Sequence, residues 1–224
     1  MTRKLPLELL PNRIWLSLLP ISLLCLSFYF YNQESIFPTI NTPITVNQQT
    51  ATKMALDANN VLKLKLNPKE VRTTSAFISR SEIQNYISLE AGGNEKLNQL
   101  IKSGNLISSF WSVKLYIPKE IQQNTFQFTP EGKFYGYQVG IPEEKSLPNI
   151  SKEKAQLKMH KFLKHHPLAN TNFSEFTEKD YVLKKQDNGR QDHTFIYENK
   201  SQTIGEATPE IICTISGNRI TKLQ

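Results

Sequence analysis

The segment FWSVKLYI, residues 110–117, decides the fold because its apolar residues recur at every second position. Such a period of two is typical of a β-strand with one buried face. The residues that share the apolar side are Trp111, Val113, Leu115 and Ile117. Pro118 ends the run, since proline cannot donate a ladder hydrogen bond. The chain therefore enters a sheet at residue 110.

Helical periodicity precedes this strand. Ala51 to Leu62 carries apolar residues at i, i+3, i+4 and i+7, which predicts an amphipathic helix ended by Asn67-Pro68. Ser79 and Glu82 have capping-box spacing, which predicts a second helix as far as Gly92-Gly93. A short third helix is predicted from Glu95 to Lys102.

Two more strands follow residues 110–117. Phe126 and Phe128 precede the turn sequence Thr-Pro-Glu-Gly, and Tyr135 to Ile141 alternates again until Pro142. Strands joined by such short turns pair antiparallel. We therefore expect a meander that covers the first helix.

The second half of the chain repeats this plan. Ser151 is the expected N-cap of a helix whose apolar stripe is Ala155, Met159, Phe162 and Leu163, and this helix is expected to end before Pro167. Strands are predicted at Tyr181–Lys185, His193–Tyr197, Ile211–Ile215 and Arg219–Leu223. The predicted fold class is α+β, in which an N-terminal transmembrane helix precedes two lobes, each a helix on an antiparallel sheet.

The N-terminal region contains one long apolar segment, Ile14 to Tyr31, without a charged residue. About 18 apolar residues is near the lower limit for a helix that spans a bilayer. Basic residues precede it and none follows until Lys53, which places the N-terminus in the cytoplasm. A cleaved signal peptide is the alternative. The predicted organisation is a cytoplasmic tail (1–13), an anchor (14–31), a spacer (32–47) and two lobes (48–148 and 149–224).

Composition limits the partners. The formal net charge is +7 and the sequence pI about 9.3, yet the lysines are dispersed and no recognition motif accompanies them, so we expect no nucleic-acid binding. Cys25 lies within the apolar segment and Cys213 in the exported part. A disulfide between them is therefore not expected.

Three residue clusters could carry chemistry. His160 and His165 miss the i, i+4 spacing of two helical metal ligands, and His166 adjoins the second of them. We expect these rings to face solvent near the end of the helix, where a positive charge suits the helix dipole. Glu143-Glu144 lies in a loop without a nucleophile or histidine placed by the same motif, so we expect a solvated linker there. We therefore predict no catalytic residue, no metal site and no cofactor site.

The most specific cluster is GRQDHTFIYE, residues 189–198. Asp192 either orients His193 or pairs with Arg190, but neighbouring strand residues point to opposite faces, which separates Asp192 from His193. His193 shares a face with Phe195 and Tyr197, so we expect it to be partly buried and bonded to a backbone carbonyl. A structural role is favoured over a catalytic one.

Several of these motifs occur together in one known family. Their order is Phe110-Trp-x-Val-x-Leu, Phe126-x-Phe-Thr-Pro-Glu-Gly-Lys-Phe-x-Gly-Tyr, Ile141-Pro-Glu, a Ser-x-Glu helix and Gly189-Arg-Gln-Asp-His-Thr-Phe-x-Tyr-Glu. This order resembles the extracytoplasmic N-terminal region of bacterial CPBP-family (CAAX-type) intramembrane metalloproteases. The resemblance makes Arg190, Asp192, His193, Thr194 and Phe195 its marker segment. The plan of two lobes also resembles tandem PepSY-type modules.

The resemblance does not extend to the protease core. That core carries a Glu-Glu-x-x-x-Arg motif, whereas Glu143-Glu144 continues Lys-Ser-Leu-Pro here. The resemblance therefore implies a non-catalytic binding or regulatory module on the bacterial cytoplasmic membrane. Its implied partner is a separately encoded membrane protease or another envelope protein. Two alternatives stay open: an envelope assembly component of VirB8-like single-pass topology, and one half of a split protease.

Overall fold

The computed structural model describes residues 12–37, 42–64, 66, 70–165 and 173–224. Within them the helices are α1 (Asn12–Ile36), α2 (Gln48–Val61), α3 (Ser81–Glu90), α4 (Gly93–Lys102) and α5 (Lys152–His165). The strands are β1 (Arg72–Ser79), β2 (Ser109–Tyr116), β3 (Gln123–Phe128), β4 (Phe134–Gly140), β5 (Thr177–Lys185), β6 (Gln191–Glu198), β7 (Glu210–Ser216) and β8 (Arg219–Leu223). A 3-10 turn spans Phe173–Glu175.

All eight strands form one antiparallel sheet in the order β1-β2-β3-β4-β8-β7-β6-β5. Each half contributes a four-stranded meander, and β4 pairs with β8 at Tyr137↔Leu223 and Gln138↔Lys222. The predicted α+β class, with an N-terminal apolar helix and antiparallel strands, is thus confirmed. The two meanders join edge to edge in a single sheet. The division of the body into two lobes at residues 148 and 149 stays a prediction.

Helices α2 and α5 pack on one face of the sheet. Both have 14 residues, and both bury the apolar stripe that the sequence predicted. The buried apolar residues of these two helices are Ala51, Ala55, Ala58, Ala155, Met159 and Leu163. They meet the inward side chains of both meanders in one core, which includes Val113, Leu115, Phe126, Phe195 and Cys213.

Strand β1 was not predicted, because it has no alternation to detect. Seven of its eight residues are exposed, since it forms one edge of the sheet and pairs only with β2. Strand β5 at the other edge is also mostly exposed, and it begins at Thr177, earlier than the predicted Tyr181. Exposure on both faces removes the apolar period on which strand prediction depends.

The predicted capping box at Ser79 is wrong. Ser79 is the last residue of β1, and α3 begins at Ser81 after Arg80, whose side chain makes no capping hydrogen bond. The Ser79 hydroxyl instead accepts a hydrogen bond from Gln84 Nε2 at 2.9 Å. The predicted helix end is confirmed, since Gly92 has a φ of +113°, which favours glycine.

A β-bulge changes the orientation of one predicted core residue. The sequence placed Tyr135 on the same face as Tyr137 and Val139. The register shifts so that Phe128 pairs with Phe134 while Gln127 pairs with Gly136, which leaves Tyr135 as the extra residue of β4. Tyr137 and Val139 therefore pack in the core, whereas Tyr135 contacts Phe110 on the opposite face.

Helix α1 is long and apolar enough to span a membrane over Ile14–Gln33, and none of that stretch is buried in the molecule. The helix continues to Ile36, into the predicted spacer. The end of that spacer belongs to the folded body, because the Thr45 and Val46 amides donate hydrogen bonds to Pro130 O at 3.1 and 3.2 Å. The predicted helix ends at Asn67-Pro68 and Pro167 lie outside the described residues.

Candidate functional site

The marker segment of the sequence forms a buried ion pair. The Arg190 side chain is 3% exposed, and its Nε lies 3.1 Å from Asp192 Oδ1. Gln186 Nε2 donates a second hydrogen bond to the same carboxylate, at 2.6 Å. Of the two roles considered for Asp192, the structure therefore shows pairing with Arg190 rather than orientation of His193.

The same arginine holds the linker between the two halves. Its Nη1 donates to the carbonyl oxygens of Pro142 and Lys145, each at 2.9 Å. Asn188 Nδ2 donates to Glu143 O at 2.6 Å, in the same loop. These bonds join the β5–β6 hairpin to the chain that leads from β4 to α5. We call this set the linker latch.

His193 is buried on the opposite face of β6. It is 2% exposed, and its Nε2 lies 3.0 Å from Ile150 O. A carbonyl only accepts, so Nε2 carries a hydrogen and donates it, and Nδ1 lies within hydrogen-bond distance, 2.8 Å, of Tyr181 Oη. The expected contact with a backbone carbonyl is thus present. Nε2 thus holds Ile150, two residues before α5 begins, and Nδ1 bonds to Tyr181 of β5.

The remaining marker residues also have structural contacts. Thr194 Oγ1 lies 3.0 Å from Thr214 Oγ1 across β6 and β7. Phe195 is fully buried and packs against Tyr181 with ring centroids 5.2 Å apart. The segment therefore has three structural roles: Thr194 contacts the neighbouring strand, Phe195 packs in the core, and Arg190 with Asp192 forms the linker latch. Its use as a family marker stays a prediction.

The histidine cluster and the Glu143-Glu144 pair do not form a common site. Glu143 and Glu144 are exposed in the linker, as expected. His165 is exposed, whereas His160 is half-buried with its Nε2 3.0 Å from Tyr197 Oη, so the expectation of a solvent-facing ring is wrong there. His166 lies outside the described residues. Among the residues that are described, no group of three or more His, Cys, Asp or Glu side chains could hold a metal.

A groove of about 800 Å³ opens between the α3–α4 hairpin and the sheet face opposite α2 and α5. One wall is α3 and the residues that follow α4, and the other is the loop that joins β6 to β7. The floor comes from the start of β4 and the start of β7. Its apolar lining includes Ile83, Ile87, Leu106, Phe176, Ile204 and Ile212. Ligand sites in proteins are typically apolar clefts of roughly 300–1,000 Å³.

A second small core holds the two walls together. Ile87, Leu97 and Ile101 are buried between α3 and α4, and Ile204 of the β6–β7 loop packs against them. Tyr86 Oη accepts a hydrogen bond from the Glu206 amide at 2.9 Å. The roof of the groove is therefore a joint between an insertion in the first half and a loop of the second.

One cation lies at the floor of the groove. The Arg80 guanidinium is 5.3 Å from the ring centroid of Phe110 and 5.2 Å from that of Tyr135. Burial raises the pKa of the Tyr135 phenol, an effect that the Arg80 charge opposes. The phenol is thus neutral at physiological pH and does not compensate the arginine charge. We call Arg80, Phe110 and Tyr135 the arginine cradle.

Sequence reasoning missed this groove. Its residues come from segments near 80–87, 104–107, 129–135 and 204–212, which no short motif connects. The sequence suggested no role for Arg80, and the alternation placed Tyr135 on the same strand face as Tyr137. The one usable signal was the break in alternation at Phe134-Tyr135, because two adjacent aromatic residues cannot share one face of a regular strand.

Comparisons with known proteins leave the family unassigned. No protein-family model matches the chain, and no curated protein does. Among solved structures it is similar to the Bacillus megaterium YpeB C-terminal domain, with 16% sequence identity and a TM-score of 0.42. The alignment covers 80% of this chain and 62% of that one.

Proposed function

We propose that this chain is a single-pass membrane protein whose exported α+β domain is a non-catalytic binding module, with the groove as its binding site. One observation carries the proposal: an unburied apolar helix stands beside a body that has its own core and an open apolar groove. The stretch Ile14–Gln33 is not buried by the part of the chain that the structure describes, so lipid is the environment that would remove its apolar side chains from water.

The orientation follows from charge. Arg3, Lys4 and Arg13 precede the apolar helix, whereas residues 32–52 contain no Lys or Arg. Cytoplasmic flanks of membrane helices are enriched in these two residues. The proposal therefore has the N-terminus in the cytoplasm and the sheet on the far side of the membrane.

Single introduced cysteines test this topology. Burial raises the pKa of the Cys213 thiol to about 12, so it stays protonated and inaccessible, and Cys25 lies within the apolar helix. A membrane-impermeant maleimide on intact spheroplasts should label Ser146→Cys, which is exposed, and not Thr2→Cys. Labelling of Thr2→Cys alone would reverse the orientation, and recovery of the chain in the soluble fraction would remove the anchor.

The non-catalytic part of the proposal is supported by the chemistry of the groove. Its described lining contains no His, Cys or Ser, and its carboxylates are Glu82 and Glu210, of which Glu210 is paired with Lys179. We expect the purified chain to leave a library of unfolded peptides uncleaved, with or without Zn²⁺. Peptide cleavage that a chelator abolishes and Zn²⁺ restores would refute this part.

The resemblance to CPBP-type proteases supports a finer proposal, that the partner is a separately encoded membrane protease. A reading frame directly downstream that encodes a Glu-Glu-x-x-x-Arg membrane helix is the expected finding. The two chains should then co-purify in mild detergent, and protease activity should require both. Activity of the protease alone, unchanged when this chain is added, would contradict a regulatory role.

The alternative of an envelope assembly component of VirB8-like topology has one observation in its favour, the continuous sheet. The repeat of helix and meander counts against it, because that class has a single cone-shaped domain. Deletion of the gene distinguishes the two, since an assembly component would be needed for secretion or conjugation and a protease accessory would not.

A further inference from the structure

The chemistry of the groove indicates the class of its ligand, and the reasoning rests on the proposed function of the groove as a binding site. The Arg80 side chain is half-buried between two aromatic rings. No carboxylate among the described residues lies within ion-pair distance of it. Burying a cation without a counter-charge is costly, so an anion at the cradle would be stabilised.

The other charges of the groove are occupied or lie at its rim. Glu210 Oε1 is 2.6 Å from Lys179 Nζ, and Lys133 Nζ is 3.1 Å from Glu131 Oε2. Glu82 is exposed in the first turn of α3, where a negative charge suits the helix dipole. Arg80 is therefore the charge that remains for a ligand.

The lining favours an alkyl chain over a peptide. A peptide laid in the groove would bring an amide N–H and a carbonyl with each residue, and each would need a partner once buried. The side chains that face the groove are largely apolar, and most of its floor belongs to strands that are already paired. An alkyl chain carries no such groups, so it loses nothing on burial.

We infer that the groove binds a long-chain carboxylate, its head group on Arg80 and its alkyl chain between α3 and the β6–β7 loop. The anchor α1 makes such a ligand accessible, since amphiphiles of this class concentrate in the bilayer from which the domain projects. The ligand would lie on the sheet face opposite the main core, against Ile83, Ile87 and Ile204.

Photoaffinity labelling of the full chain in lipid nanodiscs tests this inference. The probe is a palmitate analogue with a diazirine in its chain, and adducts are mapped by mass spectrometry of peptides. Adducts are expected in segments 80–91 and 204–212. Excess palmitate should remove them, whereas hexadecanol, which has the same chain without the charge, should not.

Variants add a second arm. Arg80→Met should weaken groove labelling at least about tenfold, as expected when a charge-assisted contact is lost, and Arg80→Lys should retain most of it. Arg72→Met is the matched control, because it removes the same charge from the exposed edge strand β1. If Arg80→Met lowers the melting temperature, the test rests on the Arg80→Lys variant and on the competition of palmitate against hexadecanol in the parent protein.

Three results would overturn the inference: adducts confined to α1, equal competition by hexadecanol, or equal competition by an apolar peptide with a free C-terminus. None of them bears on the topology or on peptide cleavage, so the proposed anchoring and the non-catalytic role would fail by other measurements. Groove labelling that palmitate alone displaces, and that Arg72→Met leaves unchanged, would establish the site.

Discussion

The two halves of the sheet share a plan but differ in what connects their strands. In each half a 14-residue helix precedes a four-stranded meander. In the first half, residues 80–108 between β1 and β2 contain the α3–α4 hairpin, whereas the corresponding connection of the second half, 186–190, is a tight turn. The second half has its long connection later, at 199–209 between β6 and β7.

This difference shows which parts build the core and which build the site. The repeated elements supply the main core, and the unequal connections supply the groove, because Tyr86 of the first insertion meets Glu206 of the second. The tight turn of the second half supplies the linker latch instead. Variants in these regions therefore test whether the halves differ in stability as well as in form.

The largest effect is expected at the linker latch, which the first half lacks. Arg190→Met leaves the Asp192 carboxylate buried without its cation and frees two linker carbonyls. Breaking a buried ion pair typically lowers the free energy of unfolding by about 3 kcal/mol or more. Urea unfolding followed by circular dichroism measures it, with the exposed Arg219→Met as control. Equal midpoints for the two variants would mean that the latch is not needed for stability.

A smaller loss is expected where β6 holds the start of α5. His193→Ala removes the partner of Ile150 O and of Tyr181 Oη in a buried setting. An unsatisfied buried polar group costs about 1–3 kcal/mol, so the melting temperature should fall. His165→Ala on the exposed end of the helix is the control. An unchanged melting temperature together with loss of ligand or partner binding would assign His193 to function instead.

The joint between the two unequal connections can be tested at Gly205. Its φ is +62°, and a Cβ there would come within 2.7 Å of Tyr86 Oη and 3.0 Å of Ala91 Cβ. Gly189→Ala is the matched control, because Gly189 has a φ of +81° but no atom within 4 Å of an added Cβ. Both variants carry about 1 kcal/mol of backbone strain, so any additional loss in Gly205→Ala reports the contact with α3. Equal losses would show that the joint tolerates the methyl group.

The smallest effect is expected at the ion pairs of the exposed Lys179 in β5. Its Nζ lies 2.6 Å from Glu210 Oε1 and 3.7 Å from Glu198 Oε2. Hydrogen bonding to Lys200 and, to a smaller extent, the charge of Lys179 lower the pKa of Glu198, and hydrogen bonding to Glu210 raises the pKa of Lys179. A lowered carboxyl pKa stabilises the fold at neutral pH, and this contribution is lost as the pH falls through the folded value. Lys179→Met should therefore be slightly less stable than the parent at pH 7, with the gap closing in acid. A gap that widens in acid would contradict this assignment.

Several features were accessible from the sequence because they depend on local periodicity. The sequence shows which face of α2, α5, β2 and β6 is apolar, because the apolar residues recur with the period of a helix or a strand. It also shows that α1 is apolar on all sides, because its central run has no charged residue. The repeat of helix and meander followed from the periods of the helices and strands. Burial of His193 followed as well, since it shares a strand face with Phe195 and Tyr197.

Other features were decided only by the tertiary structure. Strand β1 has no apolar period because it lies exposed at the edge of the sheet. Tyr135 points away from the core because of a β-bulge, and that bulge depends on the register between β4 and β3. Arg190 reaches a carbonyl 48 residues away, and the groove gathers segments that are far apart along the chain. Local sequence determines which face of an element is apolar, whereas the pairing of distant segments determines which polar groups meet. The core of this protein was therefore predictable from its sequence, and the arginine cradle was not.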